Sequence, residues 1–178
     1  MRPKGTIGLT LAAAAGAALV AYGASAQKAA AAPQAKASLE AKSGSTVTGW
    51  ATFTEQAGGG VKVVVHVEKA PPGTHGLHVH EKGDCSDPEA KSAGGHFNPT
   101  GMDHAGPMDE KHHAGDLGNI EVKADGTGHL EITSKMLTVK EGPNSVVGRA
   151  VIFHEKADDL KTQPTGNAGG RLACGVIK

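Results

Sequence analysis

Between Val61 and Glu68 apolar residues recur at every second position, with Val61, Val63, Val65 and Val67 on one side and Lys62, His66 and Glu68 on the other. Successive side chains of an extended chain point to opposite faces, so this stretch is a strand with one buried face and one wet face. Wound as a helix, the same valines would spread around the cylinder. Only 3% of the residues are aromatic, while glycine occurs 26 times. The core must then come from Val, Ile, Leu and Ala on short strands joined by Gly-rich turns, not from large helices.

Residues 37–42, 46–56, 74–80, 117–122, 128–133, 145–154 and 171–177 also read as strands, which with 61–68 makes eight. Turn signals separate them, among them Gly58-Gly59-Gly60, Pro71-Pro72-Gly73, Asp125-Gly126 and Gly142-Pro143-Asn144. The pattern predicts an all-β domain: an eight-stranded Greek-key barrel or an immunoglobulin-like sandwich, without a helix in the mature chain. Residues 81–113 and 155–170 show no periodicity and are polar and rich in glycine. Loops of that length in a compact domain are functional or disordered, and the histidines of the first point to function.

The N-terminus belongs to a different category. Met1-Arg2-Pro3-Lys4 is basic, residues 6–22 are apolar and uncharged, and Ala24-Ser25-Ala26 is an A-x-A-like cleavage site. This is the pattern of a secretory signal peptide over 1–26, with Gln27 as the first mature residue. The competing reading is a retained anchor helix, for which the apolar run is near the lower limit. Residues 27–36 read as a flexible tether and 37–178 as the domain. No stable membrane association is expected after cleavage. A net charge of zero offers no electrostatic footprint for nucleic acid. Cys85 and Cys174 are the only cysteines, and in an exported chain an even pair is most simply a disulfide. The alternative is two metal-binding thiolates.

His78 and His80 lie two apart in a predicted strand and project together, with Leu77 and Val79 on the opposite face. Two neighbouring imidazoles make half of a transition-metal site. In the strand ending at His154, that residue shares its face with Ile152, which can place it outside the barrel near the pair. His96, His104 and His113 sit in the first loop, with Asp116 three residues beyond His113. Three imidazoles and a carboxylate suit zinc, while an all-imidazole set suits copper in both redox states or zinc.

The segments Gly76-Leu77-His78-Val79-His80-Glu81, Gly95-His96-Phe97-Asn98-Pro99 and His113-Ala114-Gly115-Asp116-Leu117-Gly118-Asn119 resemble copper/zinc superoxide dismutase. So do Phe153-His154-Glu155-Lys156-Ala157-Asp158-Asp159-Leu160 and Thr165-Gly166-Asn167-Ala168-Gly169-Gly170-Arg171-Leu172-Ala173-Cys174-Gly175-Val176. The resemblance implies one copper per subunit on His78, His80, His96 and His154. It implies one zinc on His96, His104, His113 and Asp116, with His96 as the bridge. Asp158 would join the two sites by hydrogen bonds, Arg171 would hold the anionic substrate superoxide, and Cys85 and Cys174 would tie the first loop to the last strand. The implied reaction is dismutation of superoxide to dioxygen and hydrogen peroxide by a cycling copper. The alternative is a non-catalytic copper-storage or copper-delivery protein of the same fold.

Of the adjacent His112 and His113, the motif selects His113. His66 and His129 read as polar-face strand residues, His75 as a neighbour of the copper loop, and Trp50 as a surface or interface aromatic. The spacing around Cys85 resembles bacterial members, so the periplasm is the expected compartment. The second loop is short, and the chain stops at Lys178 without the longer C-terminus of eukaryotic-type dimers. Monomer and homodimer both stay open.

Overall fold

The computed structural model describes Met1 and residues 31–178. Residues 2–26 of the expected signal peptide and 27–30 of the expected tether lie outside the described residues. The strands are β1 (Gln34–Ala41), β2 (Thr48–Glu55), β3 (Val61–Glu68), β4 (Gly73–His80), β5 (Asp116–Val122), β6 (Gly128–Ser134), β7 (Ala150–His154) and β8 (Arg171–Val176). They close into one antiparallel barrel in the order β1-β2-β3-β6-β5-β4-β7-β8. Strand β7 lies beside β4, at the head of the run β4-β5-β6, which is a Greek key. Pairing of Glu40 with Cys174 and of Ala41 with Ala173 closes the barrel, which decides against an open sandwich.

Alternation builds the interior. Val61, Val63, Val65 and Val67 are fully buried, and they pack with Phe53, Leu77, Val79, Ile120, Val151 and Phe153 into the main core. A smaller apolar cluster lies outside the wall: Ala90, Ala93, Ala150, Ile152 and Cys174. It glues the first loop to β7 and β8, and the Cys85–Cys174 disulfide runs through it.

Three expectations need correction. Strand β1 starts at Gln34, so residues 34–36, read as tether, are strand; Ala35 and Ala37 alternate into the core. The strand expected over 145–154 begins only at Ala150, because Gly148 adopts φ +78° and turns the chain. The described residues also hold one short 3₁₀ turn, Lys91–Ala93, inside the first loop.

Two irregularities in the ladder decide what faces the loops. In β5, Gly76 pairs with Asn119 and His78 with Asp116, so two residues of β5, Leu117 and Gly118, oppose Leu77 alone. Gly118 takes φ +78°, which a bulge of this kind needs. Without the bulge Asp116 would share the inward face of Ile120. With it, Leu117 enters the core and Asp116 turns outward beside His78. In β8, Phe153 pairs with Ala173 but His154 pairs with Arg171, leaving Leu172 as the extra residue. That slip turns Arg171 outward next to His154, when strict alternation would have sent it inward with Ala173.

Candidate metal centre

The first loop returns to β4 as a short strand-like segment. His80 and His96 form a bridge, and Phe97 donates its N–H to the Val79 carbonyl at 2.8 Å. That contact carries His96 to the pair His78 and His80. The donor atoms of His78, His80, His96 and His154 come within 4.8 Å of one another. A second group, His96, His104, His113 and Asp116, meets the same limit. All seven residues are buried, and His96 belongs to both groups.

Hydrogen bonds select which nitrogen of each ring faces its cluster. His78 donates from Nε2 to Asp158 Oδ2 at 2.7 Å, which leaves Nδ1 for the first group. His80 donates from Nδ1 to the Gly94 carbonyl at 3.0 Å, and its Nε2 lies 3.4 Å from His154 Nε2. His104 donates from Nε2 to Asp158 Oδ1 at 2.9 Å and turns Nδ1 to Asp116 Oδ1 at 3.0 Å. His96 Nδ1 lies 2.9 Å from the same Asp116 oxygen, and His113 Nδ1 lies 3.4 Å from His96 Nδ1.

Among the described residues, three buried side-chain atoms make no well-directed hydrogen bond: His78 Nδ1, His96 Nε2 and His104 Nδ1, the last although Asp116 Oδ1 lies 3.0 Å away. A buried polar atom left unpaired costs about 1–3 kcal/mol, so three in one place call for an explanation. Each faces one of the two groups, where a cation would satisfy it. The donor sets agree: the first group offers four imidazole nitrogens and no thiolate, the second three imidazoles and a carboxylate. The residues therefore fit the two ions that the motifs imply.

Electrostatics prepare most rings as neutral ligands. Burial, followed by like-charged neighbours, holds His80 and His154 well below the usual imidazole range. Burial also lowers His78, and it lowers His96 to about 4 against its contact with Asp116. His104 behaves oppositely: burial pulls it down, but Asp116 and Asp158 outweigh that and raise it to about 9. Both carboxylates are pushed below the usual range, because their histidine hydrogen bonds outweigh the burial that would raise them.

Asp158 joins the two groups through its two oxygens. Its backbone is clamped by Asn119, which accepts from the Asp158 N–H at 2.8 Å and donates to its carbonyl at 2.9 Å. Asn119 faces outward by plain alternation with the inward Ile120, on the regular side of the bulge that re-aims Asp116. At Gly166, φ is +63° and an added Cβ would sit 1.8 Å from Asp158 Oδ1. Only glycine lets the second loop press its backbone against this carboxylate.

Arg171 donates from Nη1 to the Ala90 carbonyl and from Nη2 to the Gly94 carbonyl, each at 2.7 Å. Gly94 O also receives the His80 ring, so one carbonyl ties the guanidinium to a ligand of the first group. Burial lowers the Arg171 pKa, yet a guanidinium keeps its charge.

Residues 47–177 match the family model described as copper/zinc superoxide dismutase (SODC). The chain belongs to that family. A solved crystal structure of a protein named clock protein EA4 is 42% identical over 83% of this chain and 95% of its own, with a TM-score of 0.75. The barrel with its disulfide and two histidine groups is thus that of a copper/zinc superoxide dismutase family member.

Some of the surroundings have no mark in the motifs. His112 is buried but belongs to neither group, and its Nδ1 donates to the His113 carbonyl at 2.7 Å. His75 lies inside the wall, stacked on Phe153 at 4.8 Å, with Nδ1 3.0 Å from the His154 carbonyl. Gln163 clamps the His104 backbone, accepting from its N–H and donating to its carbonyl, both at 2.7 Å. The carbonyls of Ala90 and Gly94 are present in any residue type, so no sequence signal could have singled them out. The outward side chain of Asn119, by contrast, could have been found from its place in the Asp116 block.

Proposed function

We propose that this protein is an exported superoxide dismutase holding one copper and one zinc per subunit. The observation that carries the reading is the shared ring of His96, which presents Nδ1 to the Asp116 group and an unpartnered buried Nε2 to the His78 group. A storage or structural site has no need of one imidazole common to two donor sets. Copper on His78, His80, His96 and His154 would supply the one-electron exchange, and zinc on His96, His104, His113 and Asp116 a fixed charge without redox change.

The protein's own groups do the rest. Arg171 attracts the superoxide anion and orients it; two of its five N–H donors are spent on carbonyls, and the others remain for substrate. His96 would carry a proton at Nε2 only when that nitrogen is not serving as a ligand, and would pass it to the departing peroxide. Asp158 keeps the Nε2 protons of His78 and His104 in place, so that both rings keep Nδ1 for ligation. In sum, two superoxide anions and two protons give dioxygen and hydrogen peroxide.

The test is metal analysis of the purified mature chain together with a direct assay of superoxide decay. One copper and one zinc with rapid decay is the expected result. Full metal content with no decay would instead select the copper-storage or copper-delivery reading. Export is tested separately by the N-terminal sequence of the protein recovered from cells, expected to begin at Gln27.

A further inference from the structure

The outer face of the barrel wall, away from both histidine groups, carries a row of aromatic and imidazole rings. Trp50 on β2 stands opposite His66 on β3, and His66 stands opposite His129 on β6. All three point outward, since their neighbours Ala51, Val65 and Val67 are buried. Directly opposed residues on one face hold their Cβ atoms about 5 Å apart. The donors of His66, Glu68 and His129 are not drawn together as those of the buried groups are, so the exposed His129 ring has to turn toward His66 to share an ion. His66 is already oriented: Trp50 stacks on it at 5.8 Å with the rings 29° apart. Its Nε2 lies 3.4 Å from Glu68 Oε1, a carboxylate two residues along on the same face. The next rungs show that this face pairs opposite charges across the same two strands, with Lys62 Nζ 2.7 Å from Glu131.

We propose that His66 and His129, with Glu68 beside them, form a surface site for a divalent transition-metal ion. The donor set of two imidazoles and a carboxylate, with open positions for water, takes Cu(II) most tightly of the common ions. The site is independent of the reading given above for the buried groups, because β3 and β6 contribute none of their ligands. It would give the protein a capture point for copper on the outside of the barrel.

Trp50 is the only tryptophan of the chain, so its fluorescence reports on His66 directly. The experiment adds Cu(II) chloride to the full mature protein with its inner sites already loaded, at neutral pH. Saturable quenching that ends at one further equivalent is expected, with inner copper and zinc content unchanged. Removing one imidazole leaves a single anchor, so His129→Gln should shift the midpoint about 100-fold to higher Cu(II). His66→Gln should do the same. Quenching curves of both variants that overlay the unmodified protein, or quenching that never saturates, would overturn the proposal.

Discussion

Changing Asp158 to Asn should damage the two histidine groups unequally. The carboxylate accepts three hydrogen bonds in a fixed division: Oδ1 from His104 Nε2 and the Leu160 N–H, Oδ2 from His78 Nε2. Asn has one oxygen to offer. It will stay at the Oδ1 position, where two donors at 2.9 and 2.7 Å demand it. The amide nitrogen then faces His78 Nε2 at the present 2.7 Å, donor against donor. His78 can relieve this only by moving its proton to Nδ1, the atom it must present as a ligand. A hydrogen bond to a charged group contributes about 1.5–3 kcal/mol, which corresponds to roughly 10- to 100-fold in affinity. We therefore expect Asp158→Asn to weaken copper at the His78 group by that factor and zinc at the His104 group by much less. Competition against chelators of known affinity, one metal at a time, measures both. Equal losses at the two groups, or none at either, would refute the tautomer argument.

Further outcomes follow from the same geometry. Arg171→Ala should lower superoxide turnover about ten- to hundredfold with metal content unchanged, and the rate of the unmodified enzyme should fall as salt is added; an unaffected rate or a flat salt profile counts against steering by this side chain. Replacing Cys85 and Cys174 by Ser opens a covalent loop between residues 89 apart, and guanidinium unfolding should report a loss of about 4–5 kcal/mol in the chain-entropy view. In the metal-free protein His104 holds its proton to about pH 9 against 6.5 when unfolded, so its pairing with Asp116 and Asp158 stabilises fully below pH 6.5 and is lost as pH rises through 9. Zinc must displace that proton, so its apparent affinity should climb about tenfold per pH unit until His104 titrates, and calorimetry in several buffers should count about one proton released per zinc. Gly166→Ala should disturb Asp158 directly, lowering the affinity for both metals where Asp158→Asn lowers chiefly one; preserved affinities would contradict the close approach at this glycine.

Much of this was legible in the chain before any fold was known. Strict alternation in residues 61–68 produced β3 to the residue, because a half-buried antiparallel strand is the one structure that separates those valines from their polar neighbours. Six of the seven donors lay in quotable blocks, with His104 in the loop between two of them, and the structure brings all seven into two groups. The lone pair of cysteines is joined. Alternation failed where the backbone departs from it. The run over 145–154 looked like one strand because apolar content does not reveal a turn at Gly148.

The sequence alone determined the class of fold, through residue types at local spacing, and pointed to the donors through motifs that resemble those of a known family. What tertiary structure decided is which way the decisive side chains point. A two-residue period would send Asp116 and Arg171 into the core; one bulge in β5 and one in β8 turn them outward, beside His78 and His154. Likewise the choice of nitrogen on each ring rests on Asp158 and on the Gly94 carbonyl, partners distant in the chain. A bulge is a mismatch between two paired strands, and a tautomer is a bargain between a ring and its neighbour, so neither exists until the barrel closes.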